Sequence, residues 1–157
     1  MSGGAPCPFC ARAQRVYLES PRWLVLRHAD PVPIPGWMML AARAHRSGVD
    51  ALTDEEAAEL GPILATLARS VREETGCARA YAITFNEAVP HLHLHVVPRH
   101  SDDASTTSWA LADRYRAVAR GEIAAAPVSV AEAMANAVAA RARPALERMG
   151  FVAPALP

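Results

Sequence analysis

The sequence predicts an α+β fold, with five strands and one long helix followed by a helical C-terminal extension. Three observations support this prediction. Short apolar or alternating segments, which are typical of strands, recur through about the first hundred residues. One longer segment among them has the apolar spacing of a helix, and further helical patterns follow near the C-terminus. The 157 residues, 52% of them hydrophobic, are enough to bury one substantial core.

Three strands are expected before the long helix. Segments 15–18 and 23–26 are rich in β-branched and aromatic side chains, and a turn that contains Pro21 separates them. Segment 30–36 contains three prolines, which cannot donate main-chain hydrogen bonds, so we expect a loop there. The apolar run 37–42 then predicts a third, buried strand.

The long helix has a start signal and a stop signal. Thr53 is followed three residues later by Glu56, which is the spacing of a capping box. Gly76 can end the helix because glycine readily adopts the left-handed conformation. Between these signals, apolar residues recur at helical spacing: Leu60, Ile63, Leu64, Leu67 and Val71.

Two more strands are expected after this helix, at residues 80–85 and 91–98. In the second, His91, His93 and His95 alternate with apolar residues. A period of two places the three imidazoles on one strand face, roughly 6–7 Å apart. Histidine is a poor core residue, but it is a good nucleophile, acid, base and metal ligand near neutral pH. The row of histidines therefore indicates a functional site.

Two helices are expected in the C-terminal extension. Segment 109–119 has a helical pattern that stops at Gly121. Ser129 and Glu132 have capping-box spacing and predict a second, alanine-rich helix. This helix is expected to end near Arg143, because a proline follows at the next position.

We expect one main domain at residues 1–104 and a helical extension at residues 105–157. The extension has few large apolar residues, so it is not expected to form a core of its own. It is expected to pack on the main domain or on a partner subunit.

Composition excludes several classes of function. The formal net charge is zero, which gives no general electrostatic footprint for nucleic acid or an anionic membrane. All 16 basic residues are arginine, which excludes chemistry that needs a lysine of this chain. No apolar stretch reaches the roughly 20 residues that span a bilayer, and the first ten residues lack the pattern of a signal peptide. With only three cysteines, we expect a cytoplasmic protein with reduced thiols.

A second chemical feature lies near the N-terminus. Cys7 and Cys10 are spaced so that their thiolates can hold one zinc ion, but a tetrahedral site needs two further ligands. His45, just after the third predicted strand, and one histidine of the alternating row are the candidates.

Segment 91–99, His-Leu-His-Leu-His-Val-Val-Pro-Arg, resembles the signature of the histidine triad superfamily of nucleotide hydrolases and transferases. The resemblance covers about residues 7–100 and implies an antiparallel sheet with a long helix, often in a homodimer. It also implies a small nucleotide or phosphorylated nucleoside as substrate. The other residues that support it are Cys7-Pro8-Phe9-Cys10, His45 ahead of segment 52–56, and Asn86.

The resemblance also implies a role for each matching residue. His93 would be the nucleophile that attacks the α-phosphorus and carries a nucleotidyl group, and His95 would donate to phosphate oxygens or to the leaving group. A closed, structural zinc ion would be held by Cys7, Cys10, His45 and His91. The implied substrate contacts are Asn86 near the phosphate, with Phe9 and Leu26 in the base pocket.

The sequence departs from the family pattern at three places. The Gly-Gln-Ser/Thr-Val stretch that supplies phosphate donors in the family is missing, and segment 86–90 leads directly into the triad. Trp37 stands where the family often has a further histidine, and His28 stands where an acidic residue meets the ribose. Arg99, His100 and Arg27 are candidates to replace the lost phosphate donors.

Three alternatives are open from the sequence. The pair Cys7 and Cys10 resembles a glutaredoxin active site, although that fold needs a strand before the first cysteine and a helix after the second. The three histidines of the row could instead share a catalytic metal ion in a hydrolase. A non-catalytic nucleotide-binding protein with the same fold is the third alternative.

Overall fold

The computed structural model describes residues 6–154. The first five residues, which belong to the stretch expected to hold no signal peptide, lie outside the described residues. Five strands form one sheet in the order β1-β2-β3-β5-β4, with antiparallel neighbours throughout, so the predicted α+β fold with a five-stranded antiparallel sheet is confirmed. The strands are β1 (Val16–Glu19), β2 (Trp23–Arg27), β3 (Met38–Ala42), β4 (Arg79–Ile83) and β5 (His93–Arg99).

Three α-helices complete the described fold. The long helix lies between β3 and β4, and the other two follow β5. Within residues 6–154 no helix is long and apolar enough to cross a membrane. The helices are α1 (Asp54–Thr75), α2 (Ser108–Ala119) and α3 (Val128–Glu147), with short 3₁₀ helices at Val49–Ala51 and Ala104–Thr106.

The ends of α1 lie where the sequence predicts them. The Thr53 hydroxyl accepts a hydrogen bond from the main-chain N–H of Glu56, and the Glu56 carboxylate accepts one from the N–H of Thr53. The capping box is therefore confirmed. Gly76 ends the helix with a φ of 66°, a conformation that favours glycine. The helix packs into the main core through Ile63, Leu67 and Val71.

The two faces of the sheet have different neighbours. One face packs against α1 and α3 and forms the main core. The opposite face carries His93 and His95, which pair in register with Ala41 and Met39 of β3. The side chains that α3 buries in the main core are Ala135, Val138, Ala139, Ala142 and Leu146.

Helix α2 covers part of the histidine face. Its Leu111 is buried in a small apolar cluster with Trp37 and Val97. Val97 lies on β5, two residues beyond His95, so both side chains share one face of the strand. The extension therefore packs on both faces of the sheet, with α2 on one and α3 on the other.

Strand β5 begins two residues later than predicted. His91 lies before the strand, and its N–H donates to the carbonyl of Val89. The N–H of Leu92 donates to the carbonyl of Arg46. Both of these N–H groups bond to loops. The Leu92 carbonyl accepts from the N–H of Ala42 on β3 at 3.0 Å, and the regular ladder starts at His93.

The predicted capping box of the last helix is wrong. Pro127, rather than Ser129, is the N-cap residue of α3, and it makes no side-chain capping bond. The Glu132 carboxylate accepts hydrogen bonds from Tyr17 and Arg27 of the sheet instead. The Tyr17 hydroxyl and the charged Arg27 guanidinium are stronger donors to this carboxylate than one main-chain N–H.

The predicted end of the same helix near Arg143 is also wrong. α3 continues through Pro144 and ends at Glu147. Leu146 is fully buried in the main core. Packing of this last turn offsets the main-chain hydrogen bond that the proline removes.

Candidate functional site

Four side chains of the types that can ligate a metal converge from three parts of the chain. Cys7 and Cys10 lie on a turn closed by a 2.9 Å hydrogen bond from the N–H of Ala11 to the Cys7 carbonyl. His45 follows β3, and His91 precedes β5, which pairs with β3. The four ligand atoms all lie within 4.8 Å of one another, so these residues form a cluster suited to a metal ion.

The spacing of the donor atoms fits one tetrahedral ion. Nδ1 of His91 lies 3.3 Å from Sγ of Cys7, 3.5 Å from Sγ of Cys10 and 3.3 Å from Nδ1 of His45. Zinc bonds of about 2.0–2.3 Å in tetrahedral geometry need about 3.3–3.8 Å between ligand atoms. Two thiolates and two imidazoles make a complete tetrahedral set, as structural sites have.

A main-chain contact orients the ring of His91. Its Nε2 lies 2.7 Å from the carbonyl oxygen of Ala42, the last residue of β3. A carbonyl can only accept, so Nε2 carries the proton and Nδ1 offers its lone pair to the cluster. Burial lowers the pKa of His91, and this favours the neutral form that binds a metal.

In His93 the unprotonated ring nitrogen is Nε2, whereas in His91 it is Nδ1. Nδ1 of His93 donates to the carbonyl oxygen of His91 at 2.7 Å, which leaves the lone pair of Nε2 available. The ring of Phe9 packs on His93 with centroids 4.7 Å apart, and burial lowers the pKa of His93. A neutral imidazole with a free Nε2 is chemically competent as a nucleophile.

In His95 the unprotonated ring nitrogen is Nδ1, the reverse of His93. The indole Nε1–H of Trp37 donates to Nδ1 of His95 at 3.0 Å. A neutral imidazole carries one proton, which must then lie on Nε2. Burial, with smaller contributions from His93 and His28, lowers the pKa of His95 to about 3. The His93 and His95 rings lie 5.0 Å apart, so an acceptor nitrogen and a donor N–H are neighbours.

Two aromatic rings pack against His95, and a third packs on both of them. We call the three the aromatic wall: His28, Trp37 and Tyr115. The rings of Trp37 and His28 lie 5.6 Å and 5.8 Å from that of His95. Tyr115 of α2 packs on both, at 5.9 Å from Trp37 and 5.6 Å from His28. The sequence analysis missed Tyr115, because α2 lies outside the resemblance and only the fold brings it to the histidines.

Two predicted substrate contacts have different surroundings. His28 lies in the aromatic wall, where its Nδ1 donates to the carbonyl of Ala29 at 2.6 Å and its Nε2 stays an acceptor. Arg99 lies at the far end of β5, opposite Arg79. Four residues of strand separate it from His95, which is roughly 13 Å. The fold therefore brings His28, but not Arg99, to the histidines.

The side-chain amide of Asn86 is engaged with its neighbours. Its Oδ1 accepts hydrogen bonds from the main-chain N–H of His93 at 3.2 Å and from the Thr84 hydroxyl at 3.0 Å. Its Nδ2 donates to the carbonyl of Ser47 at 3.4 Å. These contacts hold the loop before the triad against β5. The predicted contact of Asn86 with phosphate stays a prediction.

The two residues predicted to line a base pocket are buried. Phe9 is 5% exposed and Leu26 is 2% exposed, and both lie in an apolar cluster with Met39 on the histidine face. The Phe9 ring also lies 5.1 Å from that of His91. Both side chains stabilise the histidine face, and their contact with a base stays a prediction.

A solved structure of a hypothetical histidine triad nucleotide-binding protein from Sulfolobus tokodaii is similar over 92% of this chain and 95% of its own, at a TM-score of 0.63 and 12% identity. The structure of a histidine triad protein from Marinobacter aquaeolei is similar over 90% of this chain and 94% of its own, at a TM-score of 0.61 and 22% identity. The structure of a Zn-bound histidine triad family protein from Mycobacterium smegmatis is similar over 92% of this chain and 95% of its own, at a TM-score of 0.60 and 19% identity.

These structural similarities support the fold, and a sequence match supports the family. No curated protein matches the sequence. A model of the HIT domain matches residues 11–102, which is more than half of the chain. The fold of this family supports nucleotide binding, hydrolysis or transfer in general. The chain therefore belongs to the HIT domain family.

Proposed function

We propose that this protein is a nucleotide phosphohydrolase or nucleotidyltransferase that acts at the α-phosphate of a small nucleotide or phosphorylated nucleoside. The observation that carries the proposal is the pairing of His93 and His95. A carbonyl leaves the lone pair of His93 on Nε2, and an indole leaves the proton of His95 on Nε2. A nucleophile beside a fixed hydrogen-bond donor suits phosphoryl transfer through a covalent intermediate.

The proposed reaction has two displacements. In the first, Nε2 of His93 bonds to the α-phosphorus, and the bond to the leaving group breaks with its electron pair on the leaving group. The hydrogen bond from Nδ1 to the His91 carbonyl stabilises the positive charge on the modified ring. In the second, water or an acceptor hydroxyl attacks the phosphorus, the N–P bond breaks, and the attacking group loses its proton to solvent. His95 donates a hydrogen bond to the phosphate or the leaving group.

The aromatic wall lies on the His95 side of His93, and in this mechanism its exposed member, Tyr115, contacts the leaving group. Tyr115 is 43% exposed, so its ring can reach a bound molecule. We assign Tyr115 to the substrate site on this ground, as a contact that the C-terminal extension supplies.

We assign zinc, in a structural role, to the cluster of Cys7, Cys10, His45 and His91. A closed zinc site would tie the N-terminal turn to the ends of β3 and β5. Its thiolates must stay reduced to hold the ion, which favours a reducing compartment such as the cytoplasm. The homodimer implied by the resemblance stays a prediction.

Two of the alternatives have less support. A redox site of the glutaredoxin kind needs a helix after Cys10, whereas here the chain runs into β1 at Val16. A catalytic metal shared by the three histidines needs a free nitrogen on His91. One nitrogen of that ring faces the cysteines and the other bonds to Ala42.

A non-catalytic nucleotide-binding protein is the second candidate function. The observation that favours it is the engaged amide of Asn86, which bonds to Ser47 and to the main chain of His93 rather than pointing free into the site. A protein of this kind would bind nucleotides without forming a covalent intermediate.

Covalent trapping distinguishes the enzyme from the non-catalytic nucleotide-binding protein. Radiolabelled nucleoside phosphoramidates, dinucleoside polyphosphates and nucleotide sugars are incubated with the wild type and with His93→Ala. We expect the wild type to form an acid-labile nucleotidyl adduct and to turn over at least one substrate, and His93→Ala to lose about a thousandfold or more in rate. The matched control is His100→Gln. His100 lies one residue beyond β5, farther along the chain from His93 than Arg99, so this variant should keep both the adduct and the turnover. Binding without any adduct or turnover in the wild type would favour the second candidate.

A further inference from the structure

The contact between Trp37 and His95 allows only one direction of hydrogen bonding. An indole N–H can donate but cannot accept. Trp37 is 6% exposed, and its Nε1 lies 3.0 Å from Nδ1 of His95. The rings meet edge to face at 86°. Nδ1 of His95 is therefore the acceptor of a buried bond.

Protonation of His95 would break this contact. An imidazolium carries N–H groups on both nitrogens, so its Nδ1–H would point at the indole N–H and leave two buried donors without an acceptor. His93 and His28 differ, because their Nδ1 atoms donate to carbonyl oxygens and this bond survives protonation. Burial and the two neighbouring histidines lower the pKa of His95 to about 3, in agreement with the geometry.

We propose that Trp37 keeps His95 as a hydrogen-bond donor that cannot transfer a proton, and that the site therefore selects substrates whose leaving group departs as a stable anion. The inference rests on the proposed function for its chemistry. Nucleoside phosphoanhydrides and nucleoside 5′-aryl phosphates have such leaving groups. The amine of an alkyl phosphoramidate must gain a proton as its P–N bond breaks, and the Nε2–H of a neutral His95 is too weakly acidic to supply it.

The favoured step balances without a proton transfer. The bond from Nε2 of His93 to phosphorus forms while the P–O bond to the leaving group breaks. The electron pair stays on the departing phosphate or phenolate oxygen, and the Nε2–H of His95 bonds to this oxygen or to a non-bridging one. Trp37 contacts His95 rather than the substrate, so it is a positioning residue.

A series of leaving groups tests the selection in the wild-type protein. Nucleoside 5′-aryl phosphates with phenols of graded acidity are compared with an alkylamine phosphoramidate of the same nucleoside. We expect kcat/KM to fall steeply as the phenol becomes less acidic, and the phosphoramidate to react about 100-fold or more slowly than the nitrophenyl ester. Rates within tenfold of each other would overturn this inference and leave the proposed function intact. Failure of every substrate to form a His93 adduct would overturn the proposed function, and the selection with it.

Two variants test the role of Trp37. Trp37→His places a side chain there that can accept as well as donate, so an imidazolium at position 95 becomes possible. We expect this variant to raise the rate for the phosphoramidate relative to the nitrophenyl ester by about tenfold or more. Trp109→His, at an aromatic residue that is 85% exposed on α2, is the matched control and should leave the ratio unchanged.

The protonation of His95 can be measured without any substrate. In ¹⁵N-resolved NMR of the wild type, we expect Nε2 of His95 to stay protonated and Nδ1 to stay unprotonated between about pH 5 and pH 8. Titration of His95 to an imidazolium in this range would overturn the inference. This measurement stands even if a Trp37 variant fails to fold.

Discussion

The main-chain carbonyl of His91 accepts a hydrogen bond from Nδ1 of His93 at 2.7 Å. The ring of the same His91 faces Cys7 and Cys10 through its own Nδ1. One residue therefore belongs by its ring to the cluster suited to a metal ion and orients the proposed nucleophile by its main chain. A change that displaces the ring of His91 is expected to disturb His93 as well.

Loss of a cysteine ligand is expected to cost both metal and stability. We expect Cys10→Ser to bind well below one zinc per chain and to lower the free energy of unfolding by about 3 kcal/mol or more, because metal binding is coupled to folding. Metal analysis and chemical denaturation measure the two effects. The matched control is Cys77→Ser. Cys77 lies outside the cluster and donates to the carbonyl of Arg79, so this variant should keep its zinc. Equal zinc contents in the two variants would contradict the assignment.

Removal of the Tyr115 ring is expected to weaken substrate binding. The ring packs on His28 and Trp37 beside His95. We expect Tyr115→Ala to raise KM by about 2- to 10-fold, as the loss of one aromatic contact predicts, and Tyr115→Phe to change it little. Steady-state kinetics measures the effect, with the substrate that gives the highest yield of nucleotidyl adduct on His93. Trp109→Ala on the same helix is the control, and an equal rise in KM there would show that α2 acts only through its general packing.

The C-terminal extension is expected to unfold together with the sheet. Leu146 of α3 is fully buried in the main core. We expect Leu146→Ala to lower the free energy of unfolding by about 2–5 kcal/mol in a single transition. Val130 of the same helix is 46% exposed, and Val130→Ala should change stability by less than about 0.5 kcal/mol. Fluorescence and circular dichroism should show coincident transitions. A separate early transition of α3 would indicate that the extension is an independent unit.

Glu132 is expected to make the stability of the protein depend on pH. Its carboxylate accepts hydrogen bonds from Tyr17, Arg15 and Arg27, which join α3 to the sheet. The bond from Tyr17 is the main cause that holds the pKa of Glu132 below its usual range. A pKa that is lower in the folded than in the unfolded state contributes stability that is present above the unfolded value, about 4.3, and is lost as the pH falls through the folded value.

Glu132→Gln is therefore expected to cost more at neutral than at acid pH. The expected loss in the free energy of unfolding is about 1–3 kcal/mol at about pH 7 and much smaller at about pH 3. Urea denaturation at the two pH values measures it. Glu122→Gln removes an exposed ion pair with Arg120 that solvent screens, so it should leave the stability nearly unchanged at either pH. A loss at Glu132 that does not vary with pH would contradict the assigned role of its charge.

The sequence by itself determined the features that depend on neighbours along the chain. The capping box of Thr53 and Glu56 predicts the start of α1, and the alternation at His93 and His95 predicts their shared strand face. Both succeed because helix caps and strand periods are set within a few residues. The same local rule fails for Glu132, whose carboxylate meets partners far away in sequence.

Only the tertiary structure decided how the histidines are held. The sequence alone marks Trp37 as the loss of a family histidine, whereas the fold turns its indole N–H onto Nδ1 of His95. Tyr115 reaches the same place from a helix after the sheet. The protonated nitrogen of each imidazole depends on one partner at hydrogen-bond distance, and for His91 and His95 that partner lies about 50 or more residues away in the chain. Spacing along the sequence carries no information about such a contact.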